Sequence, residues 1–279
     1  MNNADQDILE LQACRINKNQ YSIISQQVKL EGIQKLKFIS YNIWFDQHNF
    51  IERSTELKKI FLNYDPDFIC LQEVTQNFLI QLAQDEQICQ KYYFSSPFIK
   101  YYDVLILSKY PISFKSKLFP SQMNRNLLFG EINVNNRKIV IGNTHLESLK
   151  YNDNYRREQL KIIKELLSNY DESIFMGDFN MSKQQEEQNI PENYIDIWKN
   201  LHPNEEGHTM QASKKFPSTR FDRILLRQSA YWNPSHIEII GKDPIPYYYN
   251  HQKQHLYEIV TPSDHYGLYA EIAFNGHPK

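Results

Sequence analysis

The sequence predicts an α/β domain, a four-layer α/β sandwich in which two packed mixed β-sheets are flanked by helices. Short runs rich in apolar and β-branched residues recur along the chain, and only a few amphipathic helical patterns interrupt them. No linker of Gly, Ser or Pro divides the chain after residue 34. A doubly wound parallel sheet needs a helical crossover after nearly every strand, and the helical patterns are too few for that. At 279 residues, 41% hydrophobic and 14% aromatic, the chain has ample material for a large core.

In order along the chain, residues 1–33 are rich in Asn and Gln and read as a loosely ordered N-terminal extension, although 8–11 and 23–30 carry apolar positions able to dock. Residues 34–279 form the domain proper. Strand patterns fall at 37–44, 67–74, 103–108, 127–134, 137–144, 173–178, 221–226, 236–240 and 266–274. Asn135-Asn136 between two alternating runs predicts a tight hairpin, since Asn tolerates positive φ. Helices are predicted over 52–64, with Leu57, Ile60 and Phe61 on one face, and over 152–170, with Leu160, Ile163, Leu166 and Leu167 aligned.

The formal charge of −2 neither requires nor excludes a nucleic-acid partner, because a local cation and a basic rim can meet a phosphate where overall charge does not. Three cysteines without CxxC spacing (Cys14, Cys70 and Cys89) argue against a disulfide framework or a zinc site and favour a reducing compartment. The first residues are acidic and no apolar run approaches the ~18 residues of a membrane span. A non-secreted monomer is expected, nuclear or nucleo-cytoplasmic, although no strong basic targeting run is present.

The chemistry-bearing residues share one placement, at or just past the end of an apolar strand. Asn42 follows Phe38-Ile39-Ser40-Tyr41, Glu73 ends 68–73, His145 ends 139–145 and Asp178 ends 174–178, with Asn180 two residues on. Asp222 sits within Arg220-Phe221-Asp222-Arg223-Ile224, and Asp264-His265 precedes the last strand. Each has an ordinary reading: a turn Asn, a solvated Glu, an Asx turn at Asp178, a core His, a surface ion pair at Asp222. Together they suit phosphate-ester hydrolysis. Carboxylate and amide oxygens suit Mg²⁺ or Mn²⁺, a second carboxylate can take a proton from water, and histidine donors can stabilise a charged phosphorane.

SYNIW (40–44), ICLQEV (69–74), NTHLES (143–148), GDFN (177–180), RFDRI (220–224) and SDHYG (263–267) together resemble the endonuclease/exonuclease/phosphatase superfamily of metal-dependent phosphodiesterases. FPSQMNRNLL (119–128), THLES and RFDRILLR (220–227) make the likeness greatest to the 5′-tyrosyl-DNA phosphodiesterases, which remove a topoisomerase tyrosine from a DNA 5′ end. The resemblance implies Mg²⁺ or Mn²⁺ as cofactor and single-stranded DNA 5′ ends bearing a tyrosyl or peptide adduct as partner. It implies Glu73 as principal metal ligand, with Asn42 and Asp264 beside the metal. Asp178 and Asn180 would activate or orient water, His145, Ser148 and His265 would donate to the phosphate, and Asp222 would partner His265. Arg125 would lie near the leaving group.

Three departures bear on the substrate. Trp44 stands where many such enzymes have an Asp, Met210 lies where a Thr-Trp-Asp setting is common, and residues 1–33 look too short for the ubiquitin-binding module of some relatives. These keep open another superfamily nuclease (abasic-site endonuclease, RNA exonuclease or small phosphodiesterase) and a catalytically silent nucleic-acid binding module. Arg125, Arg156, Arg157, Lys214, Lys215 and Arg220, with Trp44 and Tyr101 as platforms, are candidates for a single-strand track. For Arg156 and Arg157 the alternative is a solvated helix face. Tyr247-Tyr248-Tyr249 reads as loop or core packing, or else as a substrate wall.

Overall fold

The computed structural model describes residues 8–17, 20–210, 217–245 and 260–276. The chain opens with β1 (Ile8–Asn17), β2 (Gln20–Ile24), β3 (Lys29–Leu30), β4 (Lys35–Asn42), α1 (Phe50–Tyr64) and β5 (Phe68–Thr75). It continues through α2 (Gln76–Ala83), α3 (Glu86–Lys91), β6 (Tyr93–Phe94), β7 (Tyr102–Ser108), β8 (Ser113–Leu118), β9 (Asn126–Val134) and β10 (Arg137–His145). Then follow α4 (Asp153–Leu167), β11 (Glu172–Asp178), β12 (Tyr194–Asp196), α5 (Ile197–Leu201), β13 (Asp222–Arg227), β14 (Trp232–Ile240) and β15 (Gly267–Phe274).

Strands β12, β13, β11, β10, β9 and β8 lie side by side in one sheet, and β6, β7, β5, β4, β15 and β14 in the other. Both are mixed. The parallel pairs β4–β5 and β10–β11 each need a crossover, and α1 and α4 supply them. These are the two helices whose periodicity is plainest in the sequence. The β9–β10 hairpin turns on Asn135 and Asn136, both at positive φ, as its two-residue loop requires.

The inner faces meet in a core that includes Phe38, Phe68, Cys70 and Ile106 from one sheet and Ile141, Ile174, Met176 and Ile224 from the other. Leu57 and Phe61 of α1, with Phe78 and Leu82 of α2, cover the outer face of the second sheet. Leu160, Ile163 and Leu166 of α4 cover the outer face of the first. The order of layers is helix, sheet, sheet, helix, as the sequence predicts.

One expectation is corrected. The segment read as a loosely ordered extension is built into the sheets from Ile8 to Leu30: residues 8–12 pair with β8, Cys14 pairs with Phe94 of β6, and β2 folds back on β1. Strand β1 thereby joins the two sheets. Its buried residues, Ala13, Cys14 and Ile16, are few and small, so its apolar signal is weak. Its partner Phe94 in β6 lies 80 residues away and its partners in β8 lie farther still, where local composition cannot reveal them.

Candidate active site

Side chains alternate across a strand, and on five strands the inward-facing set changes character at one end. In β4, Leu36 and Phe38 lie in the inter-sheet core, and Ser40 and Asn42 continue the same face. In β5 Phe68 and Cys70 give way to Gln72; in β10 Ile139 and Ile141 give way to Asn143 and His145. Strand β11 goes from Ile174 and Met176 to Asp178, and antiparallel β13 goes from Ile224 back to Asp222. Because β4 and β5 are parallel, as are β10 and β11, these polar ends fall at the same edge of the sandwich.

A buried amide layer lies beneath them. Gln72 Nε2 donates to Asn143 Oδ1 at 2.8 Å, and Asn143 Nδ2 donates to the carbonyls of Leu71 and Leu105 at 2.9 and 3.0 Å. The β5–β7 register shifts between Leu71 and Val74, and Glu73 sits in that bulge at φ 60°. Bulges re-aim side chains. Glu73 consequently meets Asn42 of β4, whereas Leu71 and Val74 belong to the helix-covered outer core.

Gly177 has φ 143°, and a Cβ there would lie 1.8 Å from the Thr144 carbonyl oxygen, so only glycine lets the two strands approach. Asn180, at φ 51°, donates its backbone N–H to Asp178 Oδ1 at 2.8 Å. The Asx turn weighed as the ordinary reading thus exists within the polar cluster. Asn180 Nδ2 donates to the Leu146 carbonyl and to Ser148 Oγ, at 3.1 and 3.3 Å.

Asp178 lies at the centre. Its Oδ2 accepts from Asn42 Nδ2 at 3.0 Å and lies 3.4 Å from His145 Nε2 and 3.8 Å from His265 Nε2. Asn42 Nδ2 also reaches Glu73 Oε1 at 3.2 Å, while the backbone N–H of Phe45 donates to Glu73 Oε2 at 3.1 Å. His265 Nδ1 donates to Asp222 Oδ2 at 2.8 Å. Thr209 Oγ1 accepts from the backbone N–H groups of Phe221 and Asp222, and the Thr209 carbonyl accepts from Tyr266 N–H. Thr209 and Met210 thus tie the strand carrying Asp222 to the segment carrying His265. Ser263 Oγ donates to the Asn42 carbonyl at 2.7 Å, and Asp264 stands exposed at the rim.

The two histidines hold different charge states. Burial opposes charge on His265, but Asp222 and Asp178 outweigh it and push its pKa up to about 10. Burial, then Arg125 and His265, hold His145 well below its ordinary value, so it is neutral. Arg125 Nη1 donates to His145 Nδ1 at 2.9 Å; arginine has no acceptor, so the His145 proton sits on Nε2, toward Asp178. Arg125 Nη2 donates to Ser148 Oγ at 2.9 Å. Burial, with Asp222 adding to it and His265 opposing, pushes Asp178 up to about 7. Burial likewise raises Glu73.

Asp178, Asp222 and His265 offer ligand atoms within 4.8 Å of one another. An imidazolium cannot ligate a cation, however, and His265 already spans both carboxylates. The better donor set for a hard divalent ion is Glu73, whose carboxylate is raised by burial with Asp264 adding to it, together with Asn42, whose Oδ1 accepts from Trp44 N–H and keeps one lone pair. Glu73, Asp178, Asp222 and Asp264 lie round one protonated histidine, with the Arg53 charge also acting on Glu73 and Asp264, and oxygen donors of this kind suit a hard divalent ion.

Asn42, Glu73, His145, Ser148, Asp178, Asn180, Asp222, Asp264, His265 and Arg125 are therefore brought together. Two expected substrate contacts are corrected. Arg156 is 1% exposed, its Nε on Glu186 at 2.6 Å and its Nη1 on the carbonyls of Glu147 and Leu149. Arg220 is 8% exposed and bound to both oxygens of Asp196 and to Glu187. A buried guanidinium must be paired, and these two are paired away from the polar cluster. Trp44 is half-buried at φ 58°, with the Arg53 guanidinium 4.4 Å above its ring. Arg157 and Tyr101 are exposed. Lys214, Lys215, Gln211 and Tyr247-Tyr248-Tyr249 lie outside the described residues.

Sequence reasoning missed Arg53, Thr209 and the Phe45–Tyr102 pair. Arg53 gives all its donors to backbone carbonyls: Nε to Pro262, Nη1 to Asp46 and His48, Nη2 to Ile43 and Trp44. A charge four residues before Leu57, on the apolar stripe of α1, was the available signal. Phe45 stacks on Tyr102 at 5.2 Å, and Arg125 lies 5.4 Å from the other ring in that row, Tyr102. No local pattern announced that stack.

A family model described as the endonuclease/exonuclease/phosphatase family matches residues 39–265. Tyrosyl-DNA phosphodiesterase 2 of Bos taurus is 27% identical over 87% of this chain and 69% of its own length. The Homo sapiens protein of that name is 27% identical over 89% of this chain and 71% of its own. The crystal structure of Danio rerio tyrosyl-DNA phosphodiesterase 2 complexed with single strand DNA product superposes with a TM-score of 0.70 at 25% identity, covering 85% of this chain and 98% of that one. The human Nocturnin catalytic domain shares the fold, with a TM-score of 0.64 at 16% identity over 89% of this chain and 96% of its own. Among the described residues no helix is long and apolar enough to cross a membrane.

Proposed function

The chain belongs to the endonuclease/exonuclease/phosphatase family, and from that premise we propose that it hydrolyses the 5′-phosphotyrosyl bond between a topoisomerase-derived tyrosine and a DNA 5′ end, leaving a 5′-phosphate. The likeness to tyrosyl-DNA phosphodiesterase 2 supports this leaving group. One observation carries the hydrolytic reading. A protonated His265 and a neutral His145 bearing its proton on Nε2 converge on Asp178, a carboxylate pushed up to about 7. That is a base poised near neutrality between two donors.

In this reading Asp178 orients water and takes its proton, with Asn180 holding the Asp178 carboxylate in aim. His265, His145 and Ser148 donate to the phosphate oxygens, where charge grows in the transition state. Asp222 keeps His265 charged. Arg125 stands by the tyrosyl oxygen as it departs, and the row of Phe45 and Tyr102 offers it an aromatic wall. Mg²⁺ or Mn²⁺ held by Glu73, with Asn42 and Asp264 beside it, would neutralise charge on the non-bridging and leaving oxygens. The protein acts as a monomer on single-stranded ends, in a nuclear or nucleo-cytoplasmic setting.

A second reading, another phosphodiester substrate of the same family, draws on Trp44, which occupies the position of an expected Asp and is held by Arg53. The deciding assay compares a 5′-phosphotyrosyl oligonucleotide, a plain oligonucleotide and an abasic duplex, with Mg²⁺ and with Mn²⁺. Tyrosine release that outpaces both other reactions and stops in EDTA is expected. Faster cleavage of either other substrate overturns the tyrosyl assignment in favour of the second reading, and full activity in EDTA overturns the metal assignment.

A further inference from the structure

Glu147 is wholly buried, between His145 and Ser148 in sequence, yet it faces away from them. Its carboxyl accepts from Ser121 Oγ at 2.5 Å, from the backbone N–H of Gln122 at 3.0 Å and from Gln159 Nε2 at 3.4 Å. None of these partners is charged. Gln159, on α4, also accepts the Glu147 N–H on Oε1 and donates Nε2 to the Pro120 carbonyl. Ser121 Oγ in turn accepts from the backbone N–H groups of Met123 and Arg125, at 2.9 and 3.0 Å, and the Phe119 N–H donates to the Arg125 carbonyl. The 119–125 loop therefore closes on one buried carboxyl.

Arg125 needs that support. Its Nε has no hydrogen-bond partner. Its two terminal nitrogens hold His145 and Ser148, and Nη2 also reaches the Met123 Sδ at 3.6 Å. Apart from the Tyr102 ring 5.4 Å away and the Met123 sulfur, its aim rests on the groups it serves and on the loop backbone that carries it.

We propose that Glu147 is a positioning residue: through Ser121 and Gln122 it holds the 119–125 loop so that Arg125 keeps His145 in the tautomer that carries its proton on Nε2. With the loop loosened, His145 Nδ1 loses its donor and the ring populates the other tautomer, whose Nε2 is an acceptor and cannot donate toward the site. The catalytic consequence rests on the reading of His145 as a donor under Proposed function; the tautomer does not.

The test uses the full chain labelled with ¹⁵N-histidine, the His145 ring signals being identified by their loss in His145→Asn. Wild type shows one tautomer. In Glu147→Ala and Ser121→Ala the ring nitrogens move toward a mixture, and kcat falls on the order of a hundredfold while KM stays within about threefold. Glu147→Gln, which keeps an acceptor for Ser121, restores the single tautomer and most of the turnover. Ser121 is only half-buried, so Ser121→Ala carries the test if Glu147→Ala does not fold. A folded Ser121→Ala or Glu147→Ala with an unchanged tautomer overturns the proposal, whether or not its turnover falls. Since the ring signals need no substrate, failure of the tyrosyl assay leaves this test standing.

Discussion

The inter-sheet layer is one structure with two ends of opposite character. At one end Leu36, Phe38, Phe68, Ile139 and Ile174 interlock between the sheets; at the other, the same strands present Asn42, Gln72, Asn143, His145 and Asp178. Both ends are carried by the same strands, with a bulge in β5 at the polar one. Aliphatic and aromatic burial at the first end stabilises the fold. The second end concentrates carboxylates that burial and mutual repulsion push toward protonation. Stability made at one end is what allows unfavourable charge to be held at the other.

Four substitutions or conditions separate the ends. Asp178→Asn should lower kcat by about 10²–10⁴-fold, with a melting temperature equal to or above wild type, because a strained carboxylate is removed. A fall in melting temperature would mean that Asp178 stabilises the fold. Phe38→Ala, at the apolar end, should do the reverse and cost about 3–5 kcal/mol of unfolding free energy. Its turnover per folded molecule should match wild type, and urea titration beside an active-site titration checks both halves. Asn143→Leu probes the boundary. It strips the Leu71 and Leu105 carbonyls of their donor beside the bulge that aims Glu73, so a loss of about 1–3 kcal/mol should come together with reduced turnover. Unchanged turnover would detach the amide layer from the site.

The remaining prediction concerns pH. In metal-free protein His265 is raised from 6.5 to about 10, so its stabilising contribution is full below pH 6.5 and is lost as pH rises through about 10. Asp178, raised from 3.8 to about 7, has the same sign at lower pH, with stability lost as pH rises through about 7. Denaturant midpoints should fall from pH 6.5 to pH 10, and His265→Asn should flatten that limb. A wild-type midpoint that rises there would contradict the charge assignment of His265.

Much of this was open to reading from residues alone. Apolar strand patterns placed Asn42, His145 and Asp178 at strand ends. The two crossover helices carried full apolar stripes. What escaped was of another kind. Arg156 and Arg220 look the same in sequence as solvent-facing cations, and only their own burial and their partners, Glu186 and Asp196, distinguish them. Strand β1 hid among polar residues because its partners are distant.

By itself the sequence determined strands β4, β5, β7, β9, β10, β11, β13, β14 and β15 and which side chains stand where their apolar runs end, because alternation and strand-end position are local properties of the chain. Tertiary structure alone decided the rest. The bulge turned Glu73 toward Asn42, Arg125 set the His145 proton on Nε2, and Asp222 made His265 a cation. Each depends on the distance and burial of groups from far-apart segments, and hydrogen-bond direction and proton affinity are set by those distances.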